Sequence, residues 1–320
     1  MTSLFDVTDN EDILALQPRL TDDDAGVRRI ALIELADLEE PDGLLWLVNR
    51  LAEDPAPEVR AEAARLLEAW EDAPVVEALC QALTDPSDAV QAAAAQSLSL
   101  LKSEAAGKVI LPWTGHADIG VRIATFRALR ELRFAEAAPA ALLALDDKDA
   151  SVRREAVGVL GWLKKLDALP ALARLASADT DVEVRRAATG ALGLASDEQV
   201  LPALRQALRD EAWQVREEAA TTLGKVGHVD AGSALVEALT DDYWQVRLRA
   251  TRSLGRLRYA PALDPLIETL GHRISNLRKE AALALGELND RGAIAPLQAA
   301  QDDGDPEVRK AVRIALSQLQ

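Results

Sequence analysis

The residues that could carry chemistry here are three histidines, one cysteine and recurring columns of arginine and aspartate. His116, His228 and His272 stand far apart, in or near expected turns, and imidazoles scattered in this way are a poor ligand set for a metal ion. Cys80 lies in the apolar segment VVEALCQAL, which favours a buried structural thiol over a nucleophile. No Ser-His-Asp arrangement, phosphate-binding glycine loop or CxxC pair can be read. We therefore expect no catalytic residue, no metal and no cofactor.

An arginine recurs at one position of a repeated pattern, and this arginine column admits two interpretations. Its members are Arg28, Arg60, Arg122, Arg153, Arg185, Arg216, Arg247, Arg278 and Arg309. A ladder of guanidinium groups could bind anions, or each arginine could pair with an aspartate in a turn. The second is favoured because the arginines keep register with apolar positions, and an arginine fork suits carboxylates and carbonyls. The expected partners are Asp54, Asp85, Asp147, Asp210 and Asp242. The acidic turns themselves are expected to cap helices and keep the protein in solution, although they could also attract a basic partner.

The arginines belong to a repeat that runs through the whole chain. A valine or leucine, here called the anchor, recurs every 31 or 32 residues at Val27, Val59, Val90, Val121, Val152, Val184, Val215, Val246, Leu277 and Val308. The residue four places later is small in most repeats, and the residue eight places later is leucine in all ten. These positions share one face of a helix, so the pattern predicts a buried stripe.

Helix boundaries can be read from the same register. Aspartate stands three residues before the anchor at Asp24, Asp118, Asp149, Asp181 and Asp305, where its carboxylate would cap a helix. A second helical pattern precedes each of these segments. The sequence thus predicts an all-α fold, an α-solenoid (superhelix) of about ten stacked helix-turn-helix repeats. We expect one domain over residues 1–320, with capping repeats at about 8–38 and 292–320.

Composition and charge narrow the possible functions. The formal net charge is −17 with a pI near 4.7, which opposes binding to nucleic acid or to an anionic membrane. The first residues, MTSLFDVTDNED, show neither a basic start nor an apolar signal segment, and no apolar run has the length of a membrane span. The expectation is a cytoplasmic, acidic protein whose partners are neither nucleic acid nor membrane.

The repeated pattern VRxxAxxxLGxL and the segment DPEVRKAVRIALSQL resemble the HEAT-like repeats of the phycobilisome-lyase-like type, over about residues 10–319. That resemblance implies the solenoid fold. The family it points to includes bilin lyase subunits, a di-iron hydroxylase and adaptor-like proteins. Hydroxylase-like members use His-Glu pairs as iron ligands. Ala117, Val229 and Arg273 follow the three histidines instead, which speaks against that enzyme.

Candidate binding residues are those that break the repeat. Trp213 and Trp244 occupy the same position, two before the anchor, in consecutive repeats, and Tyr243 is next to the second. Other repeats place mainly small or polar residues there, so these aromatics could form a contact platform or pack at the repeat edge. Arg249, Arg252 and Arg256 follow on one face of the same helix. They could bind an acidic or carboxylate-bearing partner or pair with the protein's own acids.

The leading hypothesis is a non-catalytic scaffold or adaptor that binds another protein or peptide through the concave surface of the solenoid. Its site would be Trp213, Tyr243, Trp244, Arg249, Arg252 and Arg256. The alternative is a bilin (phycobilin) lyase or chromophore chaperone-like protein acting on a client protein. A third possibility, a DNA-binding helical-repeat protein, is opposed by the net charge of −17.

Overall fold

The structure, a computed structural model, describes residues 8–195 and 198–319, and in those ranges it contains α-helices and short 3-10 helices but no strand. The chain divides into two compact units between Leu163 and Lys164. Each unit contains five helical hairpins, and each hairpin consists of a helix A followed by a helix B. The expected all-α repeat fold is confirmed.

The helices alternate regularly along both units. In the first unit they are α1 (Glu11–Leu20), α2 (Ala25–Asp37), α3 (Leu44–Glu53), α4 (Pro57–Leu66), α5 (Ala73–Ala82), α6 (Asp88–Leu100), α7 (Glu104–Ile110), α8 (Ile119–Glu131), α9 (Ala138–Ala144) and α10 (Ala150–Trp162). In the second they are α11 (Leu169–Ala178), α12 (Val182–Ala191), α13 (Leu201–Ala207), α14 (Trp213–Val226), α15 (Gly232–Glu237), α16 (Trp244–Leu257), α17 (Leu263–Leu270), α18 (Ser275–Leu288), α19 (Ile294–Ala299) and α20 (Pro306–Gln318). Even-numbered helices are the B helices.

The apolar columns form the core of each unit. All anchors except Val27 are buried, and so are all ten residues four places after the anchor. The leucines eight places after it are buried in every repeat except the last, where Leu316 is partly exposed. A single hairpin could not bury this stripe, so neighbouring hairpins complete one another's core.

The predicted caps begin the B helices. The Asp24 side chain accepts hydrogen bonds from the amides of Gly26 and Val27, and Asp149 does the same at the start of α10. Asp118, Asp181 and Asp305 also accept amide hydrogen bonds from their helices. Because the first amides of a helix lack partners within it, these carboxylates stabilise the helix start.

Glycine lets neighbouring B helices of the second unit approach closely. A Cβ atom on Gly255 in α16 would lie 2.7 Å from the Cα of Ala284 in α18. One on Gly286 would lie 2.8 Å from the Cα of Ala315 in α20. Both glycines lie inside their helices. Both glycines stand nine residues after the anchor of their repeat, and close packing of the B helices explains both positions.

The fourth hairpin departs from the regular pattern. Helix α7 is short and continues as a 3-10 helix over Leu111–Gly115, which contains Pro112. The Trp113 ring stacks on His116, with ring centroids 5.7 Å apart. The departure from the regular hairpin is thus a change of helix type at the end of the A helix.

Candidate functional site

Pairs of arginine and aspartate join consecutive repeats. In the first pair, Nε and Nη2 of Arg28 each donate to a different carboxylate oxygen of Asp54, both at 2.8 Å. Nη1 of Arg28 donates to the carbonyls of Asp22 and Asp23. Asp54 in turn accepts the amide hydrogen bond of Ala56. One guanidinium therefore holds its own turn and the turn of the following repeat.

The same bidentate pairing, in which Nε and Nη2 of an arginine donate to the two oxygens of an aspartate, recurs at a spacing of 25 or 26 residues. The pairs are Arg28–Asp54, Arg60–Asp85, Arg122–Asp147, Arg185–Asp210, Arg216–Asp241 and Arg278–Asp303. The structural interpretation of the arginine column is supported at these positions. The expected partner Asp242 was wrong by one residue, because Asp241 is the acid that also accepts the turn amide of Tyr243.

The pairing shifts the acidity of the aspartates. Burial by itself would raise the pKa of Asp54, but the hydrogen bonds from Arg28 and the Ala56 amide outweigh it and leave that pKa lowered. The pKa values of Asp85, Asp147 and Asp241 are lowered by the same balance. The Arg278 hydrogen bond lowers the pKa of Asp303. The charged form of these carboxylates is thus favoured by folding.

We expect acid to destabilise the protein through these pairs. Because the folded pKa values lie below the unfolded value of about 3.9, the unfolded chain binds more protons. The contribution is fully present above about pH 4 and is lost as the pH falls through the folded values. Urea unfolding, followed by far-UV circular dichroism at a series of pH values, measures this loss. The urea concentration at the midpoint should decrease once the pH is below about 4. Asp241→Asn should flatten that dependence, and an equal slope in the variant would contradict the assignment.

Two repeats break the arginine–aspartate series. Gln91 replaces arginine in α6, and His116 stands at the matching acidic position, 25 residues later. In α16, Arg247 is retained, but the residue 25 positions later is His272. Nδ1 of His272 accepts the amide of Ile274 at 3.0 Å, as an aspartate oxygen does elsewhere. Nε of Arg247 is buried without a hydrogen-bond partner.

The predicted aromatic residues lie at the starts of α14 and α16. Trp213 stacks on Tyr243, with ring centroids 5.5 Å apart and planes 13° apart, and the Arg216 guanidinium lies over the Tyr243 ring. Tyr243 and Trp244 remain 45% and 36% exposed. The ring stacked on Trp213 is therefore that of Tyr243, although Trp244 is the residue at the equivalent position of the next repeat. Trp213, Tyr243 and Trp244 are called the aromatic surface below.

The predicted arginine face of α16 is largely neutralised by the protein's own acids. Nε of Arg249 donates to Glu217 at 3.0 Å. Arg252 donates to both carboxylate oxygens of Glu280, at 2.7 and 2.9 Å. Arg256 lines a surface pocket with Glu287, whose pKa is raised by burial despite the opposing charge of Arg256. These arginines lie together on one helix, but two of the three already have carboxylate partners.

Neither the histidines nor the cysteine forms a reactive site. The three histidines accept hydrogen bonds from backbone amides, and the cysteine is buried. Nδ1 of His116 and of His228 accepts a turn amide, as Nδ1 of His272 does. Cys80 is completely buried, and burial raises the pKa of its thiol to about 12. In the part of the chain that the structure describes, no cluster of three His, Cys, Asp or Glu side chains suits a metal ion. No helix there is long and apolar enough to cross a bilayer.

Sequence comparison agrees with the repeat register. A family description of HEAT repeats matches residues 44–114, 107–192, 173–254 and 233–317. The chain belongs to the HEAT-repeat family. These four overlapping matches cover most of the ten HEAT repeats and extend across both units. A search of curated proteins found no match.

Solved structures of other proteins share the fold. YibA of Escherichia coli has 21% identity and a TM-score of 0.61, over 80% of this chain and 94% of that one. Importin beta has 16% identity and a TM-score of 0.66, over 96% of this chain and 50% of its own length. The structure of Kap95p with RanGDP gives the same values. At these identities the similarity shows the HEAT solenoid fold alone.

Proposed function

We propose that this chain is a non-catalytic, cytoplasmic scaffold that binds another protein or peptide. The observation that carries the proposal is the aromatic surface. Tyr243 and Trp244 are exposed at a helix start where most other repeats have small or polar residues, so the core does not require them. Tyrosine and tryptophan supply much of the binding energy at protein interfaces, because they bury a large area with few rotatable bonds.

The stacking of Trp213 on Tyr243 supports a binding role for this surface. A ring fixed against another ring and beneath the Arg216 guanidinium has less freedom to lose when a partner binds. Among the fold relatives, the structure of Kap95p is described by its binding to RanGDP. Protein binding by that relative is consistent with the same use here.

Site-specific crosslinking tests the scaffold function. The photoreactive residue p-benzoylphenylalanine replaces Trp244 in the full chain, which is expressed in its native organism and irradiated. Ile30 in α2, 47% exposed, provides a matched exposed position in the other unit. We expect a discrete protein adduct from position 244, at several-fold higher yield than from position 30. Equal yields at both positions, or no protein adduct at 244, would overturn the proposal.

We assign the repeats to the phycobilisome-lyase-like type on the pattern VRxxAxxxLGxL, and we propose that the chain nevertheless carries out no reaction. The burial and raised pKa of Cys80 remove the one thiol as a ready nucleophile. Mixing the protein with phycocyanobilin and a candidate client should leave the visible spectrum unchanged. A covalent, colour-shifted client would instead support the bilin-lyase alternative.

A further inference from the structure

The aspartate of each arginine–aspartate pair has two structural roles. The aspartate accepts the amide of its own turn, and its two oxygens neutralise an arginine of the preceding repeat. His272 has only the first role, accepting the amide of its own turn. Its Nδ1 accepts the Ile274 amide, so the other nitrogen of the neutral ring carries the hydrogen and is a donor. A donor cannot accept a hydrogen bond from the Arg247 guanidinium.

The two breaks in the series differ in this respect. Where His116 replaces the acid, the arginine has also been replaced, and Nε2 of Gln91 donates to the carbonyl of Asp85. No unbalanced charge results there. At the other break the charged side chain is kept, and Arg247 has no ion pair within the described residues of the second unit. A buried donor without a partner is costly, and the cost is greater for a charged group.

Positive charge surrounds His272, the residue that stands opposite Arg247 in the series. Burial lowers the pKa of His272, and the charges of Arg247, Arg273 and Arg278 lower it further. The nearest acids in the series are already committed, because Asp241 is bound by Arg216 and Asp303 by Arg278. Arg247 acts on Asp241 only at a distance, where its charge helps to lower the pKa of that acid, and its own Nε has no hydrogen-bonded carboxylate.

We propose that Arg247, whose side chain is half-buried, binds a carboxylate of the partner polypeptide, which supplies the negative charge that His272 does not. The inference rests on the proposed scaffold function and assigns it a chemical specificity. Arg247 lies one helical turn after Tyr243, whose carbonyl accepts its amide at 3.3 Å. A partner segment that covers the aromatic surface and continues for one turn along α16 would therefore reach the position of Arg247. Two hydrogen bonds from a planar guanidinium to a carboxylate are strong and directional.

The direct test observes the arginine side chains of the full chain. Protein labelled with ¹⁵N-arginine is titrated with sodium acetate, with sodium chloride at matched ionic strength as the reference, and the Nε–Hε signals are followed by NMR. Arg247→Lys identifies the Arg247 signal by its loss. We expect this signal to shift saturably with acetate. The Arg278 signal, whose arginine is already paired, should stay in place.

Two peptides distinguish the possible sources of the carboxylate. Acetyl-Ala-Glu-Ala-amide offers a side-chain carboxylate, and acetyl-Ala-Ala-Ala with a free terminus offers the main-chain one. A shift of the Arg247 signal with either peptide supports the inference and names the source. No response to acetate or to either peptide overturns it.

A variant that places an aspartate opposite Arg247 provides a stricter control than the peptide titrations. In His272→Asp the new carboxylate can pair with Arg247 as Asp303 does with Arg278, so we expect the affinity for acetate to fall about tenfold or more. The melting temperature should rise. The converse variant, Asp303→His, should give Arg278 a response to acetate that it lacks in the native chain. Unchanged acetate binding in His272→Asp would overturn the inference.

The outcomes separate this inference from the scaffold function. Crosslinking from position 244 without any carboxylate response removes the role of Arg247 and leaves the scaffold in place. A carboxylate response without crosslinking retains an anion site and removes the scaffold function.

Discussion

Replacing Asp54 with alanine is expected to lower the free energy of unfolding by about 3–5 kcal/mol. The Asp54 carboxylate is fully buried, and the Arg28 side chain opposite it is only 7% exposed. Removing the acid leaves a buried guanidinium whose two hydrogen bonds, both 2.8 Å, have no replacement. The amide of Ala56 loses its acceptor as well. Urea unfolding followed by circular dichroism measures the change.

A surface ion pair provides the matched control for this prediction. Arg209 and Glu237 are 3.4 Å apart, and both side chains are mostly exposed. Because exposed pairs contribute about 0–1 kcal/mol, Glu237→Ala should cost far less than Asp54→Ala. Similar losses in the two variants would show that the buried pair joining the first two repeats adds no particular stability.

Gly255→Ala is expected to destabilise the second unit by about 1–3 kcal/mol, although alanine is the better helix former by about 1 kcal/mol. The new Cβ would lie 2.7 Å from the Cα of Ala284, so α16 and α18 would have to move apart. The contact is with backbone, and a change of side-chain rotamer cannot relieve it. The midpoint of urea unfolding of the full chain should fall.

Two variants test this explanation. Gly304→Ala places a Cβ where no atom lies within 4 Å, and it should leave stability nearly unchanged. Ala284→Gly combined with Gly255→Ala should recover only part of the loss, because the nearer atom, the Cα of residue 284, remains. A stabilised Gly255→Ala variant would mean that helix propensity outweighs the close contact.

The fold could be predicted from the sequence because equivalent positions in the repeats carry similar residues and have nearly the same burial. Anchors such as Val152 and leucines such as Leu160 are fully buried in the structure, and the capping role of Asp149 was legible from its distance to the anchor. Proteins with a single core offer no such internal replicates. The partner Asp242 was misassigned because two adjacent aspartates occupy the turn. Only the turn geometry decides which of them, Asp241 in this case, faces Arg216.

The candidate site was less predictable, since its chemistry depends on pairing across repeats. Arg252 is bound by Glu280, 28 residues away, and Arg127 is bound by Glu155 at the same spacing. That repeated spacing was a signal for internal pairing. The break at Arg247 could also have been found, because a spacing of 25 residues leads from this arginine to His272, where an aspartate is usual. Exposure of Tyr243 and Trp244 could not, because it depends on how the neighbouring turns pack.

The uniform arginine–aspartate pair has a consequence for how such a chain can change in length. Wherever one repeat offers an arginine and the next offers an aspartate, the junction has the same chemistry as any other. Whole repeats can then be duplicated or excised at these junctions without inventing a new interface. The junctions Gln91–His116 and Arg247–His272 are exceptions, and at the second a standard repeat inserted after Arg247 would supply the missing aspartate. Insertion or removal of a repeat at a standard junction is therefore expected to disturb the fold less than the same change at either of these two.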